Sequence, residues 1–267
     1  MPNPFISVIN SLLPEPQASL LNGILFGVRA QMPYALYQAL ITTGLLHVIA
    51  LSGTNISILI DLVAKVTLFL GRKISIILTV SIIVAFVMMV GPSPTVVRAA
   101  MMGAITLIAV YLGRKAWSML SLFLASGVML LIKPEWIGEI SFQLSFLATL
   151  GIILGNDLVK RKYTRTLGEK LVYALKVNLA LTLSAQLFTF PIILLNFQRI
   201  SLISPVSNLL VGWVIQPIMI LGLVTGILGW IWMPLGILPA WLVWVPLSYF
   251  LGIVELLAKV PGAAVEL

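Results

Sequence analysis

The chain has 267 residues, of which 60% are hydrophobic and 9% charged, with a net charge of +8, one histidine and no cysteine. Soluble domains carry about a quarter charged residues, so this composition excludes a soluble fold. It also excludes disulfides and thiolate metal sites, and a single histidine leaves no usual zinc ligand set, so neither a metal nor a cofactor is expected.

Segments of about 20 apolar residues, the length that crosses about 30 Å of hydrocarbon, recur along the chain. They are continuous rather than alternating, which predicts an all-α fold: a polytopic transmembrane helical bundle rather than a membrane barrel. Residues 1–44 are the least membrane-like, with Pro14-Glu15-Pro16, Arg29 and Pro33 interrupting two short amphipathic stretches. Leu20, Leu21, Ile24, Leu25 and Val28 keep helical spacing, so this lead-in is read as short amphipathic helices at the outer membrane surface or packed on the bundle. The first 28 residues hold no Lys or Arg, and no cleavable signal peptide is expected.

Apolar runs follow at 45–70, 74–90, 95–112, 117–132, 140–155, 173–195, 204–229 and 231–257, which makes about eight spans in a membrane domain over 45–257, with 258–267 as a tail. Prolines 191, 205, 217, 234 and 246 inside or beside the later runs predict kinked or broken helices. Arg72-Lys73, Arg114-Lys115 and a loop with Lys160, Arg161, Lys162 and Arg165 fall on one side, while the connections near 92–94, 133–139 and 196–201 fall on the other. The basic side is expected to face the cytoplasm, which puts both termini outside. Topology by itself accounts for these cations, although the same charge attracts anionic lipid and nucleic acid. Trp213, Trp230, Trp232, Trp241 and Trp244 read as interfacial anchors, with base stacking as the other use of such rings.

Three polar constellations lie inside the apolar runs. The first is Leu46-His47 through Ser52-Gly53-Thr54-Asn55, continuing to Asp61 and Lys65. On an unbroken helix His47, Thr54 and Asp61 share a face with about 40° of drift. Asp61 and Lys65 can also pair at i, i+4, and Ser52-Gly53 can break the helix and cancel the stripe. The second runs from Gly91 to Ala100, where Ser93 or Thr95 suits a helix cap, Pro94 its first turn, and Arg98 stands one turn inside as a fixed cation. The third is Ser141-Phe142-Gln143-Leu144-Ser145-Phe146, whose polar groups can bond across helices. Asn178, Gln186, Asn208 and Gln216 extend the polar set.

In order and spacing these constellations resemble the competence domain of the ComEC family of bacterial DNA-uptake proteins. His47 to Gly53 looks like the family's His followed by apolar residues and Ser-Gly. Ser93 to Ala99 resembles its Ser-Pro-Ser/Thr-x-x-Arg-Ala motif, and Ser141 to Phe146 its Ser-Phe-Gln-Leu-Ser-Phe stretch, with Lys133-Pro134 ahead. Leu13-Pro14-Glu15-Pro16 through Gly27 looks like its helical lead-in, and Pro191 and Asn208 like later landmarks, so the likeness covers about residues 13–220. It implies a channel in the bacterial cytoplasmic membrane that passes one DNA strand into the cell during natural transformation. The path residues expected are His47, Ser52, Gly53, Asn55, Asp61, Pro94, Arg98, Ser141, Gln143, Ser145 and Asn208, with Lys160, Arg161, Lys162 and Arg165 at the exit.

The family commonly has His where this chain has Asn55, which hydrogen-bonds but does not titrate. Full-length members also carry an oligonucleotide-binding-fold domain before this region and a metallo-β-lactamase-like domain after it. Neither pattern stands within these 267 residues, so no catalytic residue is expected here. The partners expected are single-stranded DNA and membrane lipid, with a separately encoded nuclease or helicase, other competence proteins and a second copy of the chain as further candidates. A small-solute or proton-coupled transporter using His47 and Asp61, and a membrane scaffold serving a separate nuclease, are the competing classes.

Overall fold

The computed structural model describes residues 3–158, 166–197 and 199–266. The chain opens with four short helices, α1 (Pro4–Leu12), α2 (Gln17–Phe26), α3 (Tyr34–Thr42) and α4 (Leu46–Ile49). Asn3 accepts a hydrogen bond from the Phe5 amide to start α1, and Gly27, in the left-handed region at φ 71°, closes α2. Of the two expected placements for the lead-in, α2 takes packing on the bundle rather than the bilayer surface. Every residue from Ala18 to Phe26 is buried. Leu20, Leu21, Ile24 and Leu25 share one core with Val211, Ile218, Val243 and Phe250.

Eight long helices follow: α5 (Gly53–Thr67, prolonged by a 3-10 turn to Leu70), α6 (Arg72–Val90), α7 (Pro94–Tyr111), α8 (Ser118–Ile132), α9 (Ile140–Leu158), α10 (Leu167–Phe197), α11 (Ser204–Ile231) and α12 (Met233–Ala258). They coincide with the eight apolar runs. Six are long and apolar enough to cross a membrane, while α8 and the apolar stretch Ile140–Asn156 of α9 are shorter. The 15 residues of α8 rise only about 22 Å. The outward surface is apolar, with Ile77, Val84 and Met88 on α6 and Leu238 and Val245 on α12 exposed, as a lipid-facing surface requires.

Several details depart from the sequence reading. The first run is not one helix: α4 stops at Ile49, and α5 restarts after Ser52, whose side chain caps it, so His47 does not share a helical face with Thr54 and Asp61. Pro191, Pro217 and Pro246 do lie inside helices, joined by Pro239. Pro205 and Pro234 instead occupy first turns, where their fixed φ suits the start of a helix. Ser93 stands at the cap of α7 without a side-chain capping bond, and Pro94 fills the first turn as expected. The tail pairs back: β2 (Ala264–Glu266) forms a short antiparallel ladder with β1 (Arg199–Ser201).

Five helices neighbour one another in cyclic order: α5 beside α7, α7 beside α9, α9 beside α10, α10 beside α11, and α11 beside α5. The α9–α10 seam rests on Gly151-x-x-x-Gly155. A Cβ on Gly151 would fall 2.7 Å from the Ser184 carbonyl oxygen, and the Ser184 hydroxyl donates to the Gly151 carbonyl at 2.7 Å. Small residues at this spacing let two membrane helices approach closely. The α8 and α6 helices pack outside this cycle, against α7 and α9 and against α5 and α7 respectively.

Candidate functional site

Arg98 is the meeting point of the three polar constellations. Pro94 at the first turn of α7 sets the register that puts Arg98 one turn into the helix, where it is 5% exposed. Its Nε donates to the Ser145 hydroxyl on α9 at 2.9 Å, and its Nη1 lies 3.2 Å from the Met102 sulfur. Its Nη2 lies against α5, so close that a Cβ on Gly53 would be 3.1 Å away. The Ser-Gly motif, the arginine motif and the serine-phenylalanine motif therefore touch through one guanidinium. Thr95 adds a second α7–α9 link, donating to the Ser141 carbonyl at 3.4 Å.

No carboxylate forms an ion pair with Arg98 among the described residues. A charged group at membrane depth costs at least about 2.5–3.5 kcal/mol, and two neutral partners offset only part of that. This cation is costly where it stands.

Asn55 explains its own departure from the family's histidine. Ser52 donates to the Asn55 Oδ1 at 2.9 Å and caps the Asn55 amide, while the Asn55 Nδ2 donates to the Ile24 carbonyl at 2.8 Å. The side chain thus braces the Ser52 cap and ties the α5 start to α2. The position needs an acceptor and a donor on separate atoms, which neutral imidazole also supplies. Asn55→His is expected to stay within about 1 kcal/mol of the parent in detergent unfolding, whereas Asn55→Leu costs about 2–4 kcal/mol by stranding the Ile24 carbonyl and the cap. Equal losses in the two variants would show that the tether does not matter.

The remaining candidates separate from Arg98. His47 is exposed, and its Nδ1 donates to the Gly44 carbonyl at 2.9 Å, which leaves Nε2 as an acceptor. Asp61 is exposed on α5 and makes no ion pair with Lys65 or any other described residue, so the i, i+4 pairing is absent. Gln143 braces the turn at 134–138 by donating to the Ile137 carbonyl at 2.9 Å, and with Phe123, Phe142, Phe146 and Ser126 it lines a cleft of about 490 Å³ between α8 and α9. Asn208 belongs to a second cluster, where it and Gln186 donate to the Ser204 hydroxyl at 3.4 and 2.9 Å. Lys160, Arg161, Lys162 and Arg165 lie outside the described residues.

That second cluster was not foreseen. Ser201 and Ser207 donate to the Thr42 and Thr43 carbonyls, both at 2.7 Å, so the carbonyls left over at the end of α3 are satisfied by the start of α11. Gly44, at φ 71°, sits where a Cβ would be 2.5 Å from the Ser204 Cβ. The Thr-Thr-Gly run is a helix-stop signal that marks Gly44 from sequence, but the serines it meets are 157 or more residues away.

Both clusters lie at one end of the bundle, with the 92–94 and 134–138 turns. The opposite end carries Arg72 and Lys73, and Arg72 donates to the Val110 carbonyl at the end of α7 beside Arg114 and Lys115. Trp230 and Trp232 stand exposed at the α11–α12 turn, and Trp213 packs on Tyr249 at 5.3 Å.

The fold and site define a multi-pass helical membrane protein with a buried arginine that joins three helices at one end. Residues 24–267 match the Competence protein family, and the chain belongs to it. It is 30% identical over 207 residues to ComE operon protein 3 of Bacillus subtilis (strain 168), an alignment that covers 77% of this chain and 26% of that protein. The chain therefore spans well under half the length of this curated relative. No solved structure matches.

Proposed function

We propose that the chain forms a passage in the bacterial cytoplasmic membrane through which a single strand of DNA enters the cell during natural transformation. Membership of the Competence protein family supports a role in DNA uptake. The observation that carries the finer reading is Arg98, a buried cation with no acidic partner among the described residues, held among α5, α7 and α9. A polyanion needs cationic stations that do not trap it, and a guanidinium held by neutral groups keeps its charge available to phosphates. The excess of basic residues at the end with Arg72, Lys73, Arg114 and Lys115 supports a cytoplasmic position for that end, and in this reading the Arg98 end faces outward. Among the described residues there is no cluster of metal-ligating side chains. In this reading strand cutting and pulling belong to other domains or to separately encoded nuclease and helicase partners, and DNA chemistry is not performed by these helices.

The test is complementation of a transformable strain that lacks its own channel. The parent chain, supplied with any missing domains in trans, restores transformation. Arg98→Glu lowers its frequency by at least about a hundredfold while inserting in the membrane at parental level. Full transformation by that variant, inserted normally, sinks the proposed path.

A further inference from the structure

The exposed polar residues of α5 form a line. Thr54, Ser57, Asp61 and Lys65 are exposed and lie within about 80° of one another on a helix that turns about 100° per residue. Ile56, Leu59 and Ile60, on the other side, form the apolar core with Ile83 and Phe86 of α6 and Val96 and Ala99 of α7. The far face of α6 is the apolar, exposed one, carrying Ile77, Val84 and Met88. Lipid therefore lies beyond α6, and the polar line of α5 points the other way, into the cycle made by α5, α7, α9, α10 and α11.

The line starts at Arg98. Gly53, which touches the guanidinium, precedes Thr54, and the Ser57 hydroxyl donates back to the Gly53 carbonyl at 3.0 Å. From there it runs about 16 Å toward the basic end. Side-chain contacts close the cycle mainly at the Arg98 end, through Arg98–Ser145, Thr95–Ser141 and Gln186–Ser204. A carboxylate and an ammonium without ion-pair partners are stable at this depth only against water or a polar ligand.

We infer that the Thr54–Ser57–Asp61–Lys65 face is the wall of a water-filled half-channel, sealed at its outer end by the Arg98 contacts, and that Lys65 is the next phosphate-binding station after Arg98. The wall is a property of the bundle alone. The role of Lys65 rests on the DNA reading above and takes the same ligand class, the phosphodiester backbone. Asp61, one turn before Lys65, keeps a neighbouring like-charged phosphate from settling there, so the strand is passed on rather than held.

The chain has no cysteine, so single cysteines can be read without background. Thr54→Cys, Ser57→Cys, Asp61→Cys and Lys65→Cys are compared with the lipid-facing Ile77→Cys and Val84→Cys and the core Ile56→Cys. Each is treated in membrane vesicles with a membrane-impermeant cationic methanethiosulfonate. Labelling at least about tenfold faster along the polar face than at the other three positions is the expected result. Thr54→Cys and Ser57→Cys are nearly isosteric and report even where a charge substitution disturbs folding. Labelling of the polar face as slow as that of Ile77→Cys overturns the half-channel and leaves the Arg98 test of DNA passage standing on its own. In the transformation assay Lys65→Glu is expected to lower frequency about tenfold or more and Lys65→Arg to preserve it, and full transformation by Lys65→Glu overturns the second station. Rapid labelling together with full transformation by Arg98→Glu supports the wall and removes the DNA reading on which the Lys65 role depends.

Discussion

Gly44→Ala is expected to cost the protein about 3 kcal/mol, and Gly44→Val more. Two effects act together. Gly44 sits at φ 71°, where a side chain costs about 1–2 kcal/mol. Any Cβ there also meets the Ser204 Cβ at 2.5 Å and its hydroxyl oxygen at 2.6 Å, and although the hydroxyl can rotate, the Cβ is fixed to the α11 backbone. Relief requires moving α3 from α11, which stretches the bonds from Ser201 and Ser207 to the Thr42 and Thr43 carbonyls. Gly113→Ala is the control, because Gly113 has φ 69° with nothing within 4 Å of its missing Cβ. Thermal unfolding in detergent should show Gly44→Ala lowered by about 6–10 °C and Gly113→Ala by about half as much or less. Equal shifts would mean that the Ser204 contact yields freely.

Arg98→Met separates what Arg98 does for the fold from what it does for passage. A buried cation with only neutral partners is a liability for stability, and an unbranched apolar side chain of similar length fills its place without desolvating a charge. The variant is expected to be more stable than the parent by about 1–2 kcal/mol in detergent unfolding, with the Ser145 hydroxyl turning to a carbonyl of its own helix. Uptake should nonetheless fall as far as in Arg98→Glu. Arg98→Lys keeps the charge but not the fork that reaches Ser145, Met102 and Gly53 together, and an intermediate loss of about tenfold is expected. If the methionine variant is less stable than the parent, Arg98 is a structural tether; if it transforms normally, no fixed charge is needed on the path.

Much of the fold is legible in the residue order because the bilayer leaves few choices. A run such as Ile74 to Val90 has no polar group to satisfy outside a helix, so its helix and approximate ends follow from length and composition. The break before α5 is written locally in Ser52-Gly53, a cap followed by a first turn. The fate of α2 is not, because the helical spacing of Leu20, Leu21, Ile24, Leu25 and Val28 suits the bilayer surface as well as the bundle. In the structure the Asn22 amide donates to Asn10 at 2.7 Å, and Ser19 bonds back to the Pro16 carbonyl, so both are buried without a polar face.

Arg98 itself stood out as a cation inside an apolar run, but its partners did not. The Ser145 hydroxyl is 47 residues away and Gly53 is 45, and only the packing of α5, α7 and α9 brings them together. At Asp61 and Lys65 the spacing allows a pair, and the side chains instead stand exposed without one among the described residues. Local spacing allows a contact, whereas the direction each side chain takes depends on what surrounds the helix.

The burial of α2 sets an order of assembly. This helix of 10 residues rises only about 15 Å, too little to be held by the bilayer on its own. Its walls are α11 and α12, made roughly two hundred residues later, with Gly222 of α11 so close that a Cβ there would be 2.5 Å from Leu21. Helix α2 thus leaves the ribosome long before the helices that bury it, and it waits as an apolar segment while the spans between insert. Shortening the chain at α12 would leave α2 unburied and make that helix, rather than the cut end, the site of aggregation and proteolysis.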